Sequence, residues 1–285
     1  MTFFDQYRHD FQPGKIAVLG VPLDQNSSFL KGAAQAPPLI RESLFSYSAN
    51  LFTEGGIDLG HVPGWLDVGD LILAGGPDDF SKIEQAATEL LSGQMRLITL
   101  GGDHSITYPL IRSYAKAFTN LQILHFDAHP DLYDELDGNR FSHACPFARI
   151  MEEGLVSCLV QVGIRTMTSH QREQADRFGV EVFQMRDMDV LPELKFEGDV
   201  YISLDMDCLD PAFAPGISHH EPGGLSTRQL ISLIQSLQGN LVGADIVEFN
   251  PTRDWNGVTG MVAAKLLKEI IGRMTIPEPN KEVAD

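Results

Sequence analysis

His104, Asp127, His129, Asp131, Asp205 and Asp207 are side chains that bind hard or borderline metal ions, and they fall in three short segments. These are Gly101-Gly-Asp-His104, Asp127-Ala-His-Pro-Asp131 and Asp205-Met-Asp207, each following an apolar run of strand-like residues. In an open parallel sheet, ligands bind in the crevice beyond the carboxyl ends of the strands, so three such turns deliver all six groups to one edge. An i, i+2 spacing in extended chain points side chains to one face, and small Ala128 and φ-restricted Pro130 suit an extended backbone. A lone strand-end Asp is ordinarily a cap, and a lone His a satisfied or exposed imidazole. Four carboxylates gathered in one crevice without cations, however, carry a large repulsive and desolvation penalty, which favours metal ions among them. Two ions served by six ligands require sharing, and carboxylates bridge where imidazoles rarely do, so Asp127 and Asp205 are expected to be shared. Oxygen-rich ligation without thiolate favours two Mn(2+) over structural Zn, with Ni, Co or Zn as alternatives. A two-metal hydrolytic centre is the chemistry implied.

Around these six stand other candidates. Glu248 follows the last strand-like run, beside Asn250-Pro251, and reads as a catalytic carboxylate. His125 lies along a buried strand, as a core histidine or one that supports the ligands. Asp103 either orients His104 or caps the helix that follows. His219 and His220 read as residues over the site with structural or substrate-facing roles.

Eight strand-like runs are predicted at 15–20, 66–71, 95–100, 121–126, 158–162, 180–183, 200–204 and 241–247. Helical periodicity predicts helices at 38–45, 80–91, 106–118, 147–153, 169–178, 227–237 and 258–272. Such alternation is the pattern of a parallel sheet covered on both faces, an α/β fold. With 285 residues and no composition break, one domain spanning 1–285 is expected, with a frayed tail from 276 to 285. Lys+Arg 21 against Asp+Glu 39 gives a charge of -18, which repels nucleic acid and anionic membranes and favours a cationic small substrate. Three cysteines without C-x-x-C spacing read as reduced thiols in a cytoplasmic protein. The first ten residues lack an apolar segment, and no run is long enough to span a membrane.

The set Gly101-Gly-Asp-His-Ser105, Asp127-Ala-His-Pro-Asp131, Ser203-Leu-Asp-Met-Asp-Cys-Leu-Asp-Pro211 and Glu248-Phe-Asn-Pro251 resembles the ureohydrolases, the arginase and agmatinase family, across nearly the whole chain. Segments 26–32, 137–144, 147–152 and 214–224 resemble plant-type arginases and agmatinase-like bacterial relatives more than animal arginases. The resemblance implies a three-layer α/β/α fold with an eight-stranded parallel sheet, two Mn ions, and a homotrimer or homohexamer. Carried over by position, it assigns one ion to His104, Asp127, Asp131 and Asp205, and the other to Asp127, His129, Asp205 and Asp207. It also assigns Glu248 to grip the guanidinium and His143 to shuttle protons or assist the leaving group.

A guanidinium is resonance-stabilised and resists attack by water, so a stronger nucleophile is required. Two divalent ions supply it by lowering the pKa of a shared water, with Asp131 orienting the nucleophile. Glu248 offers two acceptor oxygens to two N–H groups, and His143 has a pKa range suited to protonating the departing amine. The products are urea and a primary amine. L-arginine is the expected substrate, because Asn139 and Ser142 offer donors for an α-carboxylate that agmatine lacks; agmatine and other guanidino compounds are the alternatives. An aspartate that animal arginases place after the fifth strand is missing from Gly163-Ile-Arg-Thr-Met167, and Gly216-Ile-Ser-His-His-Glu221 replaces the Gly-Thr-Gly-Thr-Pro-Glu type common in agmatinases. Two competing readings keep the fold: a one-metal deacetylase-like hydrolase, which six ligands disfavour, and a silent binding subunit, which would have lost a ligand.

Overall fold

The computed structural model describes residues 3–61 and 64–276. The expected frayed tail therefore lies outside the described residues from 277 onward. Eight strands form one sheet: β1 Ile16–Gly20, β2 Trp65–Asp70, β3 Arg96–Leu100, β4 Gln122–Phe126, β5 Cys158–Ile164, β6 Glu181–Gln184, β7 Lys195–Asp205 and β8 Gln238–Val247. Their order is β2-β1-β3-β8-β7-β4-β5-β6, and every pairing is parallel.

Seven α-helices accompany them among the described residues: α1 Ala36–Leu44, α2 Asp79–Ser92, α3 Thr107–Ala117, α4 Pro146–Glu152, α5 Ser169–Phe178, α6 Thr227–Ser236 and α7 Val258–Thr275. The alternation of strand side chains sorts them into two layers. Ile16 and Val18 of β1 join one apolar cluster with residues of α1, α6 and α7. Ala17 and Leu19 join the other, with α2, α3, α4 and α5. Because both faces are covered, β1 is buried at every position and reads as an unbroken apolar run. The result is the three-layer α/β/α arrangement. In α6, Leu230, Ile231, Leu233 and Ile234 supply the buried stripe, each contributing about 1.5–3 kcal/mol. A capping box of Ser226 with Gln229 starts that helix, worth about 1 kcal/mol.

All eight predicted strands and seven predicted helices are present, with shifts at their ends. The largest is in β7, which begins at Lys195 rather than at 200. Lys195-Phe-Glu-Gly-Asp199 is polar and contains a glycine at φ 143, so no apolar run marks it, yet Lys195 still pairs with Gln238 across an irregular register. The chain lays β1 to β3 toward one edge and β4 to β6 toward the other, then returns β7 and β8 into the gap. Four strand ends, those of β3, β8, β7 and β4, thus become contiguous at the centre.

Candidate metal centre

Each central strand ends in a turn that its sequence forces. After β3, Gly102 lies so close to Leu23 that an added Cβ would stand 1.9 Å from the Leu23 carbonyl oxygen. Asp103 then caps the short helix His104–Ile106, accepting from Ser105 N at 3.0 Å, and also holds Asn26 N at 2.9 Å. Of its two expected roles, capping is the one the hydrogen bonds display. After β7, Asp205 accepts from Asp207 N at 2.7 Å, curling Met206–Cys208 into a helical turn.

These turns correct the expected extended backbone. Asp131 sits at φ 50 and Asp207 lies in a helical turn, so neither triplet reaches the site by strand alternation. Turn hydrogen bonds bring the groups together instead, among them His129 N to Asp127 Oδ1 at 2.6 Å and Ala128 N to Asp207 Oδ1 at 3.1 Å.

The six side chains gather in two groups. His104 Nδ1 faces Asp131 Oδ2 at 3.0 Å, Asp127 Oδ2 at 3.2 Å and Asp205 Oδ2 at 3.2 Å. His129 Nδ1 faces Asp207 Oδ2 at 3.1 Å and Asp127 Oδ1 at 3.3 Å. Asp127 therefore turns one oxygen to each histidine, whereas Asp205 spends its Oδ1 on the Asp207 amide.

The chemistry of the donors fits metal ions. His104 Nδ1 is buried without a hydrogen-bond partner among the described residues, although three carboxylate oxygens surround it. An electron-pair donor ringed by anionic oxygens is the surrounding of a cation. Charge balance points the same way. Burial, then Asp207 and Asp127, push the Asp205 carboxyl far above its usual range, and burial with Asp127 lifts Asp131 to about 6. Burial pulls the histidines down, but neighbouring carboxylates overcome it, lifting His104 well above its ordinary value and His129 to about 12.

His125 supports this group from below. Burial takes it down to about 4, so the neutral ring donates from Nε2 to Asp127 Oδ2 at 2.8 Å and receives Gln161 Nε2 on Nδ1 at 3.0 Å.

Glu248, at φ 63, is the other non-glycine residue of the site in the left-handed region. Its Oε1 accepts from His104 N at 2.9 Å and from His143 Nδ1 at 2.9 Å. Two donors already occupy that oxygen, and among the described residues no hydrogen bond reaches Oε2. Burial raises the Glu248 carboxyl, but the facing His143 outweighs it and holds it below its usual value. The same pairing, working against burial, lifts His143 to about 9, and its Nε2 reaches Ser28 Oγ at 2.8 Å.

A cavity of about 210 Å³ opens over these groups, reaching His129, Asp131, His143, Asp205, Asp207 and Glu248. Tyr133, Thr166, Thr168, Gln171 and His219 form its outer wall, while His220 is exposed and turned to the Pro215 carbonyl at 2.9 Å. Asn139 is not brought to this cavity. It bonds Asn26 Oδ1 at 3.3 Å and borders a separate groove of about 560 Å³ with Phe80 and Phe141. Ser142 is buried, with its hydroxyl on the Asn26 carbonyl at 3.5 Å. Thr166 and Thr168 escaped the sequence reading because nothing but distance in the fold links the end of β5 to the ligands.

The arginase family model matches residues 14–272. Arginase 1, mitochondrial, of Arabidopsis thaliana is 49% identical over 276 residues, covering 91% of this chain and 81% of its own length. The agmatinase of Serratia proteamaculans (strain 568) is 35% identical over 89% of this chain and 85% of its own. Among solved structures, the arginase from Medicago truncatula superimposes with a TM-score of 0.85 at 42% identity, over 91% of this chain and 87% of that one. These plant relatives overturn the expected cytoplasmic location, for several carry mitochondrial names. Cys145, Cys158 and Cys208 are unpaired, an arrangement that does not assign a compartment. No helix among the described residues is long and apolar enough to cross a membrane.

Proposed function

The chain belongs to the arginase family of metal-dependent hydrolases, and we propose that it hydrolyses L-arginine to L-ornithine and urea at a pair of Mn(2+) ions. The observation that carries this reading is the unpartnered His104 Nδ1 amid three carboxylates, beneath a cavity that Glu248 borders. His104, Asp127, Asp131 and Asp205 would hold one ion, and Asp127, His129, Asp205 and Asp207 the other. When bound, the ions act as Lewis acids that make water nucleophilic near neutral pH.

The remaining work belongs to the side chains. Asp131 accepts a hydrogen of the attacking water and fixes its direction. Glu248 stays ionised and presents Oε2 to one guanidinium N–H, a charge-assisted bond that seats the planar carbon over the carboxylates. His143 is protonated at neutral pH through its pairing with Glu248, which gives it a proton to deliver to the departing amine. Thr166, Thr168 and Gln171 are suited to meet the α-substituents of the amino acid at the outer wall. In this reading 1–285 acts as one catalytic domain, assembled as a homotrimer or homohexamer through exposed aromatics such as Tyr47 and Trp255.

One observation favours a second reading, agmatine hydrolysis: Asn139, the side chain expected to hold an α-carboxylate, is bonded to Asn26 away from the cavity. Urea release by the Mn-loaded chain from arginine, agmatine, guanidinobutyrate and guanidine decides between them. We expect arginine to lead agmatine at least tenfold in kcat/KM. The reverse order makes the chain an agmatinase, and no urea from any of the four ends the ureohydrolase reading.

A further inference from the structure

Behind His104 lies a buried polar chain that no ligand motif requires. Asp245, on β8, is fully buried, and among the described residues no cationic side chain is hydrogen-bonded to it. Three hydroxyls converge on its carboxylate instead: Thr107 Oγ1 at 2.9 Å, Tyr201 Oη at 2.8 Å and Ser203 Oγ at 2.8 Å. Ser203, on β7, is also fully buried, and its Oγ lies 3.0 Å from His104 Nε2. The strands place these groups in register, since Ser203 pairs directly with Asp245.

A hydroxyl has one proton to give. Ser203 gives its proton to Asp245, so toward His104 it can only accept, and the ring must carry hydrogen on Nε2. With Nε2 as donor, the electron pair of the neutral ring sits on Nδ1, the atom that faces Asp127, Asp131 and Asp205. We infer that Asp245 and Ser203 are positioning residues that lock His104 in its Nε2–H tautomer and aim Nδ1 at the metal ion on the Asp131 side. His129 has no such chain behind it among the described hydrogen bonds. The two halves of the centre therefore differ in how firmly their histidine is held, and the His104 half is the prearranged one.

This inference rests on the metal-centre reading, and its test separates the two. Mn(2+) affinity is measured by equilibrium dialysis on the whole chain, with Ser203→Ala, Ser203→Thr and Asp245→Asn beside the parent. Ser203→Ala is expected to weaken the tighter-bound ion by roughly 10–100-fold, the range seen when such supporting partners are lost, and Ser203→Thr, which keeps the hydroxyl, to restore most of it. A second cycle asks whether the effect passes through the imidazole. Ser203→Ala should keep its effect in a His129→Ala background and lose it in a His104→Ala background. Equal weakening in both backgrounds, or full affinity in Ser203→Ala, overturns the inference. A parent chain that binds no ion brings down the metal centre itself, a result read from the first titration alone.

Discussion

Two residues of the site, Asp131 and Glu248, hold backbone conformations that L side chains adopt rarely, at φ 50 and φ 63. Such strain costs about 1–3 kcal/mol each and persists where the surroundings require a side chain to point one way. Asp and Asn tolerate this region better than other non-glycine residues, so Asp131→Asn isolates charge from shape. The asparagine chain is expected to stay folded, with circular dichroism unchanged, while kcat falls about 10²–10⁴-fold through loss of the acceptor that directs the nucleophile. Turnover within threefold of the parent would remove Asp131 from that role. The gathering of these six side chains was legible in the sequence because they are crowded into short segments and are of types that a core does not otherwise collect. The strain was not legible, since Pro130 before Asp131 suggests extended chain. Nor was the double use of Glu248 Oε1, which depends on His104 N and His143 arriving from separate parts of the fold.

Among the elements, the turn after β7 depends on a residue from β5's end. Arg165 sends Nη2 to the Asp207 carbonyl at 2.6 Å and to Leu209 at 3.2 Å, Nη1 to Cys208 and Gly163 at 3.3 Å each, and Nε to Glu221 at 2.7 Å. Five carbonyls satisfied by one planar fork tie β5 to the Asp207 turn and to the loop leading to α6. A lysine has one ammonium group and cannot span them. Arg165→Ala is therefore expected to lower stability by about 2–3 kcal/mol in urea unfolding of the metal-free chain, and Arg165→Lys to recover less than half of that loss. Metal affinity on the His129 side should fall as Asp207 loosens. If lysine restores both quantities, charge rather than the fork explains the contact. Sequence periodicity found the strands and helices because their apolar stripes are local, and it found nothing of this clamp, whose acceptors are backbone carbonyls common to every residue type. The same limit hid the first residues of β7, where pairing with β8 holds a polar segment that local pattern reads as loop.

At the scale of the whole molecule, the acidic excess and the buried carboxylates act on the same quantity, the cost of concentrated negative charge. Four carboxylates and Glu248 lie within one crevice of a chain whose net charge is -18, so cations that bind the folded state must stabilise it. An ion at 100 times its Kd adds about 2.7 kcal/mol, which for a chain of this size moves Tm by about 4–5 °C. Chelation followed by Mn(2+) titration should show that rise in calorimetry, and a chain whose Tm ignores the metal would contradict a centre built from these six ligands. The field outside the crevice has its own signature. Raising ionic strength from about 0.01 M to about 0.15 M shortens the screening length from about 30 Å to about 8 Å. A substrate cation drawn by the long-range field then loses attraction, whereas the groups acting on the bound guanidinium are too close to be screened. KM is accordingly expected to rise several-fold with kcat unchanged, and to rise more for doubly charged agmatine than for arginine, whose α-carboxylate offsets one charge. A fall in kcat at constant KM would locate the salt effect in the catalytic crevice instead of the approach to it.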